Sequence, residues 1–398
     1  MHRRDFIRLS SLASASLAIP DLFRLGSRLL GQSVSKRKLI VIQLTGGNDG
    51  LNTFIPFEDD QYYRSRGRLA LAKKDLLQAS GQMGFHPALE GLKSIYEQGW
   101  MTILQSVGYP EPNLSHFRSM DIWHTGSSAR DYLSTGWLGR WLDQHEGVPH
   151  EAIQVDNALS LALKGQRRQG FALRNPESLR RAAKSPFLDA VTTHGHDHKE
   201  EMASYLYQTL VSTQESAAWL VEKSRTHSSK VVYPQTQLGK DLKTIAELLT
   251  ADTDAQIYYA SLTGFDTHVN QLNRQERLLR QYGDAVKALV TDLKQNNQLK
   301  DTLILTFSEF GRRVDANGSG GTDHGTANAL WMINEGYLTQ PGFANAAPDL
   351  ANLDAGNLIH TIDFRSVYAA LLQDWLGVVP GLILGNDCPP AHPLIRSA

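Results

Sequence analysis

The chain contains almost no cysteine. Cys388 is the single cysteine among 398 residues, which excludes an internal disulfide framework and any zinc site built from several thiolates. Fourteen histidines and 41 acidic residues are present. Any metal chemistry in this protein must therefore depend on imidazole and carboxylate groups.

The chain also lacks a substantial net charge and a long apolar run. Its formal charge at pH 7 is −1, so electrostatics favour neither nucleic acid nor an anionic membrane, and we expect no nucleic-acid partner. Hydrophobic residues make up 41% and charged residues 20% of the chain, as in ordinary globular proteins. We expect no stable membrane span.

The N-terminus carries an export pattern. Residues 2–8 read HRRDFIR, with adjacent arginines at Arg3 and Arg4, and a mildly apolar run over residues 9–19 follows. That run is too short to cross a bilayer, and small residues of a processing site lie nearby. We predict that residues 1–34 are a twin-arginine signal peptide and linker, with the export machinery as partner and a periplasmic or secreted location. The alternative is a basic, amphipathic start of the first helix.

Apolar runs along the chain are repeatedly followed by polar clusters. Runs with the character of buried strands cover Lys38–Leu44, Met101–Ser106, Ala255–Leu262 and Leu303–Phe307. Because the strands of a parallel sheet present their carboxyl ends together, we expect the residues that follow these runs to meet at one edge. These residues are Asn48 and Asp49, Ser115, Asp266 and His268, and Glu309.

The polar clusters have the composition of a metal site. In extended chain Asp266 and His268 point to the same side, so both could reach one ion. A glycine-rich loop returns Asp323 and His324 after the strand that ends before Glu309. Carboxylate and imidazole ligands favour zinc or manganese, and two ions about 4 Å apart could clamp a phosphate or sulfate. The predicted ligands of one or two divalent ions are Asp49, Asp266, His268, Glu309, Asp323 and His324, although Asn48-Asp49-Gly50 also fits a plain turn.

Several other polar residues have two interpretations each. Ser115 stands where a helix begins, so it is either an N-cap or a nucleophile at a helix N-terminus. The neighbouring His116 is a ligand, a base or a packed surface group, as is His124. Arg312 and Arg313 either hold anionic oxygens in a bidentate manner or are surface groups. A further set, His194, His196 and His198, fits a metal site or a solvated loop.

Five motifs together resemble a known family. They read LTGGNDGLNT, PNLSHFRSMDIWHTG, GFDTH, TFSEFGRR and GSGGTDHGT, and with the twin-arginine start they resemble the exported bacterial family catalogued as domain of unknown function 1501. That family is similar to the alkaline phosphatase and sulfatase superfamily. The resemblance implies a three-layer α/β/α sandwich with a mostly parallel central sheet, alkaline-phosphatase-like. We expect one such domain over residues 35–398, with residues 171–237 as a helical cap or insertion.

The resemblance also implies roles for individual residues. Asp49 matches the first metal carboxylate of the superfamily, and Ser115 matches its nucleophile. Asp266 and His268 match the Asp-His ligand pair, Glu309 matches the acid after the next strand, and His324 matches the late histidine. Asp323 has no clear counterpart and fits a group that supports the ligands from behind. Phe310 stands where the superfamily usually has a histidine ligand, and residues 115–118 lack the context that a formylglycine sulfatase needs.

The predicted function is an exported, metal-dependent hydrolase of phosphate or sulfate esters, acting on a small anionic substrate with Ser115 as nucleophile and Arg312 as an anion holder. The alternative is a non-catalytic exported binding or assembly protein that keeps the fold with a degraded metal site. The absence of a histidine at Phe310 favours that alternative.

Overall fold

The structure is a computed structural model that describes residues 37–144, 147, 149–174 and 216–396. The described residues from Arg37 onwards form one compact unit. The predicted twin-arginine segment and the three histidines at 194, 196 and 198 lie outside the described residues. Of the predicted cap over residues 171–237, only 171–174 and 216–237 are described.

Both strands and helices are distributed along the described chain. The strands are β1 (Lys38–Thr45), β2 (Phe54–Ile55), β3 (Leu77–Gln78), β4 (Gly84–Phe85), β5 (Met101–Gly108), β6 (Ala152–Gln154), β7 (Phe171–Ala172), β8 (Ile257–Thr263), β9 (Thr302–Phe307), β10 (Asn328–Ile333), β11 (Gly342–Phe343), β12 (Leu353–Asp354), β13 (Asn357–Leu358) and β14 (Ile362–Asp363). The helices are α1 (Asp60–Arg66), α2 (Glu90–Glu97), α3 (His116–Thr125), α4 (Trp137–Asp143), α5 (Gln237–Thr250), α6 (Gln271–Gln295), α7 (Phe364–Ala370), which continues as a π-helical turn (Leu371–Trp375), and α8 (Pro380–Leu384).

Nine strands form the central sheet. Its order is β11-β5-β10-β9-β1-β8-β6-β7, and β14 also pairs with β5. Every pairing is parallel except those of β10, which runs antiparallel to both β5 and β9. The sheet is therefore mostly parallel, as predicted.

Both faces of the sheet are covered by helices. Alternate residues of β1 enter two separate cores, since side chains of a strand point to opposite faces in turn. Ile40 and Ile42 pack with residues of α2, α5 and α6, whereas Leu39 and Val41 pack with residues of α3, α4 and α7. This arrangement confirms the predicted α/β fold with helices on both sides of a mostly parallel sheet. None of the helices in the described part of the chain is long and apolar enough to cross a membrane.

The strand directions bring several loops to one edge. β1, β8 and β9 end side by side, with Thr45 opposite Thr263 and Gln43 opposite Phe307. Because β10 runs antiparallel to β9, the connection over residues 308–327 starts and finishes at this edge. β5 is antiparallel to β10 and so points the same way as β9. The start of α3, which follows β5, therefore lies at the same edge.

A candidate metal centre at the carboxyl edge of the sheet

Close backbone packing holds the loops after β1, β8 and β9 together. A Cβ atom on Gly46 would lie 2.4 Å from the backbone nitrogen of Asp266, and one on Gly321 would lie 2.3 Å from the carbonyl oxygen of Thr267. Gly46 also has φ of +117°, in the left-handed region that favours glycine. These two glycines allow the loop after β1 and the returning loop to contact the segment that carries Asp266 and His268.

Arg312 ties the same loops together from inside. Its guanidinium is buried and donates to the carbonyl oxygens of Gly46, Gly47, Thr322 and Phe265. It also donates to Asp266 Oδ1 at 2.8 Å. The sequence predicts that Arg312 holds a substrate anion, but in the structure its N–H groups point into the loops and towards this carboxylate.

Three imidazoles surround one oxygen of Asp266. The Nε2 atoms of His268, His324 and His116 lie 3.0, 3.3 and 3.5 Å from Asp266 Oδ1. His268 Nε2 also lies 3.0 Å from His324 Nε2. The ligand atoms of His116, Asp266 and His324 all lie within 4.8 Å of one another. These four residues are called the metal centre below.

Hydrogen bonds on the far side of each ring determine which nitrogen carries the proton. His324 Nδ1 donates to the carbonyl oxygen of Leu114 at 2.8 Å, because a carbonyl oxygen can only accept. His268 Nδ1 faces Asp323 Oδ1 at 3.2 Å. Asn317 also donates to this oxygen, and these two hydrogen bonds lower the pKa of Asp323, which keeps its carboxyl ionised.

His116 is fixed in the same way by a buried acid. Its Nδ1 lies 2.9 Å from Glu309 Oε1, which also accepts the backbone N–H of Gly46 at 2.8 Å. This hydrogen bond is the main reason that the pKa of His116 is raised. Its buried Nε2 has no hydrogen-bond partner among the described residues.

In their neutral forms the three rings therefore direct Nε2 lone pairs towards a carboxylate oxygen. Burial by itself raises the pKa of Asp266, but Arg312 and the imidazoles outweigh it and lower the pKa to about 2. The lone pairs of His268 Nε2 and His324 Nε2, which lie 3.0 Å apart, repel one another unless a proton or a metal ion lies between them.

The donor spacing fits a tetrahedral ion. Zinc with nitrogen and oxygen ligands at about 2.0–2.2 Å holds neighbouring donor atoms about 3.3–3.6 Å apart in a tetrahedron. The distances from Asp266 Oδ1 to the three Nε2 atoms are 3.0, 3.3 and 3.5 Å, and His268 Nε2 lies 3.0 Å from His324 Nε2, so two of these four distances fall in this range and two lie slightly below it. Imidazoles whose Nδ1 atoms bond to carboxylates or carbonyls are also the usual arrangement behind metal ligands. The residues present therefore fit a divalent ion of the zinc type.

Two of the predicted ligands, Glu309 and Asp323, lie behind the imidazoles of the metal centre. The carboxylates of Glu309 and Asp323 face the Nδ1 atoms of His116 and His268, so they orient imidazoles. Phe310 also supports the centre, since its buried ring lies 4.8 Å from the rings of both His116 and His324.

Asp49 lies outside the metal centre. Its buried carboxylate is paired with both terminal nitrogens of Arg66 and accepts from Gln271. The buried guanidinium of Arg66 compensates the negative charge of Asp49, which was predicted to bind a metal ion. Arg66 lies 17 residues further along the chain, and no motif pairs the two in the sequence.

Ser115 occupies the N-cap position of α3, next to His116. Its backbone is extended and its side chain makes no capping hydrogen bond, so the hydroxyl of this exposed residue does not satisfy the helix start. His116 itself was left open by the sequence between ligand, base and surface group. Its place in the PNLSHFRS motif, directly after the candidate nucleophile, was the available signal.

The fold and the donor set define a class of protein: an α/β protein with a candidate metal centre of three imidazoles and a carboxylate at the carboxyl edge of its sheet. The chain belongs to the family described as "Protein of unknown function (DUF1501)", whose model matches residues 100–365. This confirms the family inferred from the sequence motifs. No curated protein sequence matches the chain.

Solved structures that are similar to this chain at low sequence identity include three proteins. The C-terminal periplasmic domain of EcEptC from Escherichia coli, in complex with Zn, is 10% identical with a TM-score of 0.38, over 75% of this chain and 73% of that one. The sulfatase PsFucS1 from Pseudoalteromonas sp. is 13% identical with a TM-score of 0.37, over 81% and 67%. A protein in the alkaline phosphatase superfamily from Vibrio parahaemolyticus is 11% identical with a TM-score of 0.36, over 89% and 71%.

Proposed function

We propose that this protein is an exported, metal-dependent hydrolase of phosphate or sulfate esters. The observation that carries the proposal is the convergence of three imidazole Nε2 atoms on Asp266 Oδ1, with each Nδ1 already hydrogen-bonded. The donor atoms suit a zinc-type ion. The side chains of Asp266 and His268 are 47% and 41% exposed, so a substrate could reach a bound ion from solvent. The segment HRRDFIR over residues 2–8 supports export by the twin-arginine route.

The ligands in this proposal are His116, Asp266, His268 and His324. A bound zinc or manganese ion would supply a Lewis acid that attracts the ester oxygens and stabilises developing negative charge. One ion is sufficient for this donor set, because Arg66 already neutralises Asp49.

The proposed nucleophile is the Ser115 hydroxyl. It lies at the exposed N-terminus of α3, directly before the ligand His116. N–H groups in the first turn of a helix point at a bound anion and favour negative charge there. Ser115 would thus present its hydroxyl where the tetrahedral anion of the ester is held, and Glu309 would keep His116 in its ligating orientation.

Metal content and turnover of the mature protein test the proposal together. The protein is purified without chelator, its zinc and manganese are measured, and a panel of phosphate and sulfate esters is assayed. Ser115→Ala should abolish hydrolysis and leave the metal content unchanged. Ser228→Ala is the matched control, since Ser228 is exposed on a segment remote in sequence. A wild type without stoichiometric metal would contradict the proposed centre.

A second candidate function is an exported binding or assembly protein that is not catalytic. Phe310 favours it, because a phenyl ring stands where a further histidine ligand would be expected by resemblance. The same experiment separates the two candidates. Stoichiometric metal without turnover of any ester in the panel would support the binding protein.

A further inference from the structure

Exposed apolar side chains are concentrated around the metal centre. Nine large hydrophobic side chains are exposed in the described part of the chain. Three of them lie on segments that supply or hydrogen-bond a residue of the metal centre and two more lie on a loop that contacts α3, and we call these five the apolar rim. The apolar rim consists of Leu114, Phe117, Tyr132, Leu133 and Val269.

Three members of the apolar rim are joined directly to the metal centre. The carbonyl oxygen of Leu114 accepts from His324 Nδ1 at 2.8 Å. Phe117 follows His116 in the first turn of α3, and Val269 follows His268 in the chain. An apolar group within the reach of these side chains is therefore also near the metal centre.

The other two members are held against α3 by Arg118. Its guanidinium carbon lies 3.7 Å from the centre of the Tyr132 ring, a cation–π contact. The same guanidinium donates to the carbonyl oxygens of Ala129 and Asp131 at 2.9 and 2.6 Å. The loop that carries Tyr132 and Leu133 is thereby fixed beside the first turn of α3, although the Tyr132 side chain remains in water.

Single exposed hydrophobic residues need no explanation, but a group beside a functional site does. Phe117 and Tyr132 are 82% and 80% exposed, so the described part of the chain leaves most of both residues uncovered. Aromatic rings bury a large area when a ligand covers them and lose little conformational freedom. The position of the apolar rim next to the metal centre indicates a ligand with a charged head and an apolar remainder.

We propose that the apolar rim binds the alcohol portion of the substrate, so that the substrates are phosphate or sulfate esters of apolar alcohols, alkyl or aromatic. This inference rests on the proposed function, because it assigns the anionic head of the ester to the metal centre. It excludes small polar esters, such as those of short polyols, as the preferred substrates. The apolar rim is a specificity surface and takes no part in the chemistry.

The test measures binding, so that it does not depend on turnover. Octylphosphonate and methylphosphonate carry the same tetrahedral anionic head, and neither has an ester bond to hydrolyse. Their affinities for the zinc-loaded protein are compared by titration calorimetry. Seven additional carbons distinguish the two probes, and each methylene removed from water raises the affinity by roughly a factor of two to four. We expect octylphosphonate to bind at least about tenfold more tightly, even if only part of its chain is covered.

Two variants locate the preference on the apolar rim. Phe117→Ser should reduce the ratio of the two affinities by at least about threefold, because the aromatic side chain of the apolar rim with the highest exposed fraction is lost. Val232→Ser is the control, since Val232 is 89% exposed on a different segment, and it should leave the ratio unchanged. Methylphosphonate binding should be similar in all three proteins.

The possible results separate this inference from the proposed function. Equal affinities for the two phosphonates, or a preference that Phe117→Ser leaves intact, would overturn the inference while the proposed function stands. Binding of neither phosphonate to zinc-loaded protein would overturn both. Co-sedimentation with phosphatidylcholine vesicles that Phe117→Ser abolishes, without a preference for octylphosphonate, would identify the apolar rim as a membrane contact instead.

Discussion

The replacement of His268 by alanine should have opposite consequences for the protein with and without zinc. His268 Nε2 lies 3.0 Å from both Asp266 Oδ1 and His324 Nε2. Without a cation these acceptors repel, and the His268 side chain is 41% exposed, so little packing is lost with it. In the presence of a chelator, His268→Ala should therefore be as stable as the wild type or slightly more stable.

With zinc the order should reverse. Zinc at 100 times its dissociation constant stabilises the native state by about 2.7 kcal/mol. A variant that binds about 100-fold more weakly gains only about 0.4 kcal/mol at the same zinc concentration. For a chain of 398 residues, an unfolding entropy of about 2.1 cal/mol/K per residue converts the wild-type gain into a rise in Tm of roughly 3 °C.

The assay is thermal unfolding of the wild type and His268→Ala in chelator and in a zinc series. His392→Ala serves as the control, because His392 is a half-buried histidine outside the metal centre, and its zinc response should equal that of the wild type. Two results would refute the reasoning. One is a wild type whose Tm is independent of zinc, and the other is an equal loss of stability for His268→Ala in both conditions, which is the signature of a merely structural imidazole.

Three further predictions concern residues around the metal centre and the N-terminus. Glu309→Gln should weaken zinc binding by about 10–100-fold, measured by competition with a chromophoric chelator, because the imidazole it orients loses its charged partner; unchanged affinity would argue against that orienting role. Asp49→Asn should cost about 3–5 kcal/mol in urea unfolding, since Arg66 is left as an uncompensated buried charge, and should leave the zinc content intact; a loss of zinc would instead place this acid among the ligands. Replacement of Arg3 and Arg4 by lysine should leave the precursor in the cytoplasm, as cell fractionation would report, and periplasmic delivery of that variant would contradict twin-arginine export.

The strands that build the site could be predicted from local sequence. The apolar runs at residues 38–44 and 303–307 correspond to β1 and β9 within one residue at each end. Strands buried on both faces read as continuous apolar runs, and their carboxyl ends are expected to meet in a parallel sheet. The same local logic placed Asp266, His268 and His324 near one another, and the structure does bring these three side chains together.

Which polar groups bind an ion and which orient or neutralise another side chain depends on contacts between residues that are distant in sequence. Glu309 faces His116, which lies 193 residues earlier in the chain. Glu309 was predicted to be a metal ligand, but its carboxylate orients the imidazole of His116 instead. Asp49 faces Arg66 and Gln271, the latter 222 residues away. Whether a buried carboxylate meets an ion or an arginine is determined by the packing of other segments, and its own neighbours in the chain do not contain that information.

The place of His116 shows the same distinction most directly. The local sequence determined that His116 begins a helix after the strand β5, with Ser115 at the N-cap position. Its approach to Asp266 required that β10 insert antiparallel between β5 and β9, so that the two strands point the same way across the sheet. Local sequence thus determined the strands, the loops and the supply of donor groups, whereas strand order and direction decided which of those donors converge, because convergence is a property of the whole sheet.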